Sequence, residues 1–145
     1  MFYHITNINA LIQILEQNRL GINEVSVTRN PNHVFCTMKG AEVILNLNKE
    51  KIKNHYKIFL YYGDVVNQKY MNHTRESEER IPNPIDDINL YINEIVLLQS
   101  FKNNFHYKWL KNLDIILDYV NNFRIPLMCA DFKNDKTWIF NKLRF

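Results

Sequence analysis

The chain has 145 residues, of which 46% are hydrophobic and 23% charged, with a formal net charge of +3. A chain of that length fits one domain and can bury roughly 68–70% of the surface it exposes when unfolded. The composition excludes a mainly disordered chain, a collagen-like fibre and a coiled coil. No apolar run approaches the roughly 18 residues of a membrane-crossing helix. The segment from Met1 to His4 and onward lacks the basic-then-apolar order of a signal peptide, so the expected location is the cytoplasm.

Lys and Arg are scattered rather than clustered, which permits nucleic-acid contact without arguing for it. The densest group, Lys49, Lys51, Lys53 and Lys57, is interleaved with Glu50. It reads as a solvated face, with a phosphate-contacting face as the alternative. Cys36 and Cys129 read as small core residues rather than a disulfide. Abundant Asn and Lys with only 3 Gly suggest an AT-rich genome.

In chain order, Phe2 to Thr6 predicts a strand, because Phe, Tyr and Ile suit a half-buried pleat. Thr6 or Asn7 then caps a helix whose apolar face is Ile8, Leu11, Ile12 and Leu15, with Gly21 as its left-handed stop. Val25 to Thr28 predicts a second strand, closed by Asn30-Pro31-Asn32. His33 to Met38 is a further candidate strand, and Glu42 to Leu47 a clear one. Asn48 to Lys53 reads as a helical turn and Tyr56 to Tyr62 as a strand. Gly63 to Arg75 is polar, aperiodic and long enough to suggest a functional loop. Glu78 to Ile81 is extended ahead of Pro82. Asn83-Pro84 marks a turn, Asp87 caps another, and Tyr91 to Leu98 is a strand.

From Phe105 to Phe123 the apolar residues Trp109, Leu110, Leu113, Ile116, Leu117, Val120 and Phe123 repeat at helical spacing, predicting an amphipathic helix of about five turns. Ile125 to Ala130 is a final candidate strand, pushed towards a sheet edge by Pro126. The expected architecture is one α+β domain over 1–145. It has a mostly antiparallel split sheet, an early helix and a long C-terminal helix. Residues 99–145 form a helical extension with a final strand.

Metal chemistry finds little support. His33 and Cys36 make one ligand pair with no second pair at zinc spacing. Phosphate-binding glycine motifs and the nucleophile elbow are absent. The acidic segment Glu76-Ser77-Glu78-Glu79 reads on charge alone as a solvated loop end. In an extended chain, however, Glu76 and Glu78 share a face. Paired carboxylates can be tuned to different roles, and one held against a ribose can stabilise an oxocarbenium-like transition state.

Tyr3-His4-Ile5-Thr6, followed by Leu11, Ile14-Leu15 and Leu20-Gly21, resembles the opening of ADP-ribosyltransferase-like domains. There a strand ending in a His-x-Thr-like element precedes a helix of the pattern N-L-x-x-I-L-x-x-G-L. Val25-Ser26-Val27-Thr28-Arg29 resembles the middle strand of that fold. Glu76-Ser77-Glu78-Glu79-Arg80-Ile81-Pro82 resembles its E-x-E segment, with Glu78 as the second Glu by its distance from Pro82. The resemblance spans about residues 2–98, and the pattern is also similar to small proteins of large bacteriophages. It departs from the family at Ile5, where the His-type branch usually has Gly, and at the charges of Glu79 and Arg80.

The resemblance implies an NAD-dependent mono-ADP-ribosyltransferase that modifies a host macromolecule, a protein or nucleic acid, with NAD as substrate. His4 would bond a ribose hydroxyl and Thr6 would support the pocket. Ser26 and Thr28 would line the nicotinamide end, and Arg29 would contact the pyrophosphate. Glu78 would stabilise the cation formed as nicotinamide departs, and Glu76 would orient or deprotonate the acceptor. The alternative is a binding module on the same fold, without chemistry, for a host protein, nucleotide or nucleic acid. Transfer of an RNA 2′-phosphate ranks lower, since basic residues around such a phosphate are not evident.

Overall fold

A computed structural model describes residues 1–29, 41–60, 78–99, 111–132 and 138–142. The expected strand at 33–38, the loop at 63–75, Glu76 and the stretch 105–110 lie outside the described residues.

β1 (Phe2–Thr6) leads into α1 (Ile8–Gln17) through Asn7, whose side chain accepts from the Ala10 amide at 2.8 Å. That bond satisfies one of the free N–H groups of the first turn. α1 buries Ile8, Leu11, Ile14 and Leu15, the stripe expected from its spacing. It stops at Asn18 rather than Gly21. Asn18 is left-handed at φ 49° and its backbone N–H caps the carbonyls of Ile14 and Leu15. Its side chain explains the choice of residue. Asn18 Nδ2 donates to Asn89 Oδ1 at 2.6 Å, while its Oδ1 accepts from the Asn89 amide at 3.1 Å and the Tyr119 hydroxyl at 2.5 Å. Gly21, at φ 85°, serves the next turn instead.

Then follow β2 (Arg19–Leu20), β3 (Val25–Thr28), β4 (Val43–Leu47), α2 (Lys49–His55) and β5 (Phe59–Leu60). The expected strand from Tyr56 shrinks because Tyr56 closes α2 and both Tyr56 and Ile58 pack against the core. β6 (Glu78–Ile81), β7 (Ile85–Asp86), a 3-10 turn over Ile88–Leu90 and β8 (Ile92–Gln99) come next. α3 (Leu113–Phe123), β9 (Leu127–Phe132) and β10 (Trp138–Lys142) complete the described chain.

The described residues thus form a mixed α+β structure with three α-helices. Among them an eight-stranded sheet runs β10-β9-β8-β4-β1-β3-β6-β5, beside a two-stranded ribbon β2-β7. Every pair is antiparallel except β8–β9. That exception corrects the expectation of a long C-terminal helix. α3 has 11 residues, starts behind a 3-10 turn at Lys111–Asn112, and is followed by two strands. Parallel neighbours need a crossover, and α3 lies on the connection from β8 to β9. Pro126 precedes β9, where its missing N–H costs no ladder bond, and its carbonyl accepts from the Ile95 amide at 3.0 Å. β9 therefore lies between β8 and β10 instead of at an edge.

The sheet has two apolar faces. Phe2, Val25, Val27, Val43, Leu45, Leu47, Ile81, Ile95 and Leu97 pack with α1, α2 and α3 in the main core. Ile44, Val96, Leu98 and Ala130, with Tyr3 and Ile5 beside them, form a smaller cluster on the other face. Burial on both faces explains why β4 is buried at every residue. The sheet is continuous where a split one is expected, but its joint between β1 and β3 carries a single register pair, Tyr3↔Thr28. β1 pairs with β4 from Phe2 to Thr6, and β3 pairs with β6 throughout.

Candidate functional site

The opening beyond Tyr3↔Thr28 is where the candidate residues gather. In a strand, alternate residues share a face, so His4 and Thr6 lie on the helix-covered side with Phe2. The His4 ring reaches across the opening. Its Nδ1 lies 2.8 Å from the Ser26 carbonyl oxygen. A carbonyl only accepts, so Nδ1 carries the proton. Burial lowers the His4 pKa, outweighing the Ser26 bond that raises it. The ring is therefore neutral at pH 7, and Nε2 is left as an acceptor.

His4 and Thr6 line a groove of about 190 Å³, walled by Ala10, Gln13, Ile14 and Gln17 of α1 and by residues 19–22, 24 and 25 around Gly21. Gly21 is required there. A Cβ would stand 2.7 Å from Val25 Cγ2 and 3.2 Å from the Glu24 oxygen.

The register decides which acidic residue belongs with His4. Continued one residue from Tyr3↔Thr28, it aligns His4 with Val27, and Val27 pairs with Glu79 in β6. Glu78 pairs with Thr28, in the row of Tyr3. Glu79, not Glu78, thus falls in the row of His4 on that face, two strands across. Glu79 is 8% exposed. Its Oε1 lies 3.9 Å from Arg29 Nε, and its buried Oε2 has no hydrogen-bond partner among the described residues.

The expected residues therefore separate. His4 and Thr6 meet at the groove, and Arg29, just past β3, meets Glu79. Ser26 contributes its carbonyl to His4. Val25 and Val27 occupy the core side of β3, so the Ser26 and buried Thr28 side chains belong to the opposite face. The Glu78 side chain and all of Glu76 lie outside the described part. The E-x-E motif points to Glu78, although Ile81 carries the signal for Glu79. An apolar residue that faces the core from a strand puts the residue two positions earlier on the same face. Gln13, Gln17 and Arg19 on the groove wall carried no motif.

Among the described residues no group of three or more His, Cys, Asp or Glu is placed to hold a metal ion. No helix among them is long and apolar enough to cross a membrane. No protein-family model matches the chain, and no curated protein matches it significantly.

Proposed function

We propose that this chain is an ADP-ribosyltransferase-like protein that binds NAD and transfers ADP-ribose to a macromolecular acceptor. The observation that carries the reading is the shared row of His4 and Glu79 on one face of the sheet, with Arg29 beside the carboxylate. Neutral His4 offers Nε2 to a ribose hydroxyl, which donates to it. Arg29 offers a planar fork to phosphate oxygens. The bond between ribose C1′ and the nicotinamide nitrogen breaks, and its electron pair leaves with nicotinamide. Positive charge then spreads over C1′ and the ring oxygen, where the Glu79 carboxylate stabilises it. The acceptor nucleophile gives an electron pair to C1′, forming the new bond, and its proton passes to the carboxylate or to solvent.

The groove is smaller than the roughly 300–1,000 Å³ of small-molecule sites, so a dinucleotide would continue past it along the sheet towards Glu79. That small volume favours the second reading, a module that binds a single nucleotide without turnover. Incubation with labelled NAD and cell extract tests the first. The expected result is label transfer and nicotinamide release by wild type and by Glu78→Gln, and neither by Glu79→Gln. Activity lost in Glu78→Gln and kept in Glu79→Gln would restore the E-x-E assignment. A folded wild type that neither binds NAD in calorimetry nor releases nicotinamide overturns the enzyme reading.

A further inference from the structure

We infer that the sheet face turned away from the helices carries a second site, at Tyr3, Asn46 and Glu94, which takes a protonated primary amine on an alkyl chain. The strand register brings the three residues together. Tyr3 pairs with Asn46, and Asn46 pairs with Glu94, so they form one row across β1, β4 and β8. Residues paired across neighbouring strands share a face. Tyr3 packs with the cluster of Ile44, Val96 and Leu98, whereas Phe2 belongs to the main core. The row therefore lies on the face opposite His4 and Glu79.

Asn46 is 6% exposed, and its Nδ2 donates to Glu94 Oε1 at 2.9 Å. A carboxylate only accepts, so the amide cannot be turned round, and Oδ1 is the atom left over. That oxygen is buried and has no hydrogen-bond partner among the described residues. Glu94 is half-buried and forms no ion pair among them. Burial, and after it the Glu94 charge, raise the Tyr3 pKa, so that charge is felt along the row. The row holds more acceptors than donors, with one negative charge and no cation beside it.

An ammonium group matches that imbalance, with three N–H donors and a positive charge. It donates to Asn46 Oδ1 and to Glu94 Oε2, and the Tyr3 ring offers the cation an aromatic face. Entry requires a side chain to shift, and Tyr3 and Glu94, both half-buried, flank Asn46 on either side. The alkyl chain follows from the next row along. Ile5, Ile44 and Val96 align there, and Ile5 is only partly buried, beside Tyr3 on β1. Methylenes pack on such a surface while the charged head stays with polar partners. A lysine side chain and an aliphatic polyamine share this chemistry.

The test is two-dimensional amide NMR of the full chain, titrated at matched ionic strength with n-butylammonium, spermidine, a capped peptide with a single lysine, and tetramethylammonium. The expected result is saturable shifts with n-butylammonium at the Asn46 side-chain amide and the Tyr3 and Glu94 backbone amides. Tetramethylammonium carries the charge without an N–H and should give none. Glu94→Gln should weaken n-butylammonium binding about tenfold or more, the loss of one charge-assisted hydrogen bond. Asn46→Leu, which removes the unpaired oxygen at similar size, should weaken it as much. If Asn46→Leu fails to fold, Glu94→Gln alone decides. Tighter binding of spermidine than of the peptide supports the site and assigns it to a free polyamine; the reverse order supports it and assigns a partner's lysine. Equal shifts with tetramethylammonium, no saturable shift with any amine, or unchanged affinity in Glu94→Gln overturns the inference. NAD binding by calorimetry should be the same in Glu94→Gln and wild type, since His4 and Glu79 lie on the other face.

Discussion

Replacing Glu79 with leucine should stabilise the fold while ending the proposed ADP-ribose transfer. The carboxylate is buried at 8% exposure, with Oε2 unpartnered among the described residues. Its ion pair with Arg29 is long at 3.9 Å, and the Arg29 side chain stays 47% exposed. A pair that wet and poorly aligned contributes less than about 1 kcal/mol. A buried polar atom left without a partner costs about 1–3 kcal/mol. Leucine has similar size, removes the unpaired oxygen, and leaves Arg29 to water. Its flanking positions in the register, Val27 and Leu60, are already apolar. The net expectation is a gain of about 1–2 kcal/mol, which for a chain of this length raises Tm by about 3–6 °C. Label transfer from NAD should fall at least about 100-fold. Circular dichroism melting and the transfer assay on one preparation measure both effects. A Glu79→Leu protein that melts below wild type would mean that the carboxylate holds the fold together, and the site assignment would fail.

Burial lowers the His4 pKa below 6.5, so protonation of the ring opposes folding. Acid protonates the unfolded chain first; the contribution is complete above the unfolded pKa and is lost as pH falls through the folded one. Urea unfolding from about pH 7 to about pH 5 should show a steeper loss in wild type than in His4→Asn. Asn18→Ala removes the bonds to Asn89 and Tyr119 and keeps a side chain at positive φ. It should cost about 2–4 kcal/mol in urea unfolding, and Tyr119→Phe about 1 kcal/mol. Gly21→Ala meets Val25 Cγ2 at 2.7 Å and adopts φ 85°. It should cost about 1–3 kcal/mol and perturb the amide signals of groove residues in two-dimensional NMR.

The elements read from periodicity were legible because one buried face decides them. α1 buries the stripe its spacing announces, and β1, β3 and β6 carry aromatic or branched residues where the pleat needs them. The misreadings have a common cause, namely residues whose role depends on a distant partner. Gly21 looks like the better helix stop, yet Asn18 takes the left-handed position because Asn89 and Tyr119 hold its side chain. Pro126 looks like an edge marker, yet the ladder of β9 begins one residue later. The helix before it reads as an appendage until β8 and β9 are known to run parallel, which makes it an obligatory crossover. The candidate site was half legible. His4 and Thr6 share a face by their spacing alone, but choosing between Glu78 and Glu79 needs the register of β1, β3 and β6 together.

The same joint that makes the site also determines which experiments can read it. Beyond Tyr3↔Thr28 no further β1–β3 register pair occurs among the described residues, and the Ser26 carbonyl receives the Nδ1–H of His4 across the opening. The imidazole is therefore both a groove wall and part of what holds two strands in place. Substituting it removes a ligand contact and a structural bond together, so lost activity in a His4 variant cannot by itself assign a role. Glu79 is the reverse case. Its second oxygen makes no hydrogen bond that the described fold would miss, so the fold should tolerate or gain from its removal. A buried carboxylate oxygen that the described fold leaves unpaired marks position 79 as a candidate for function. The discriminating measurement is thus the opposition of signs at position 79, stability rising as activity falls, with the His4 variant expected to lose both.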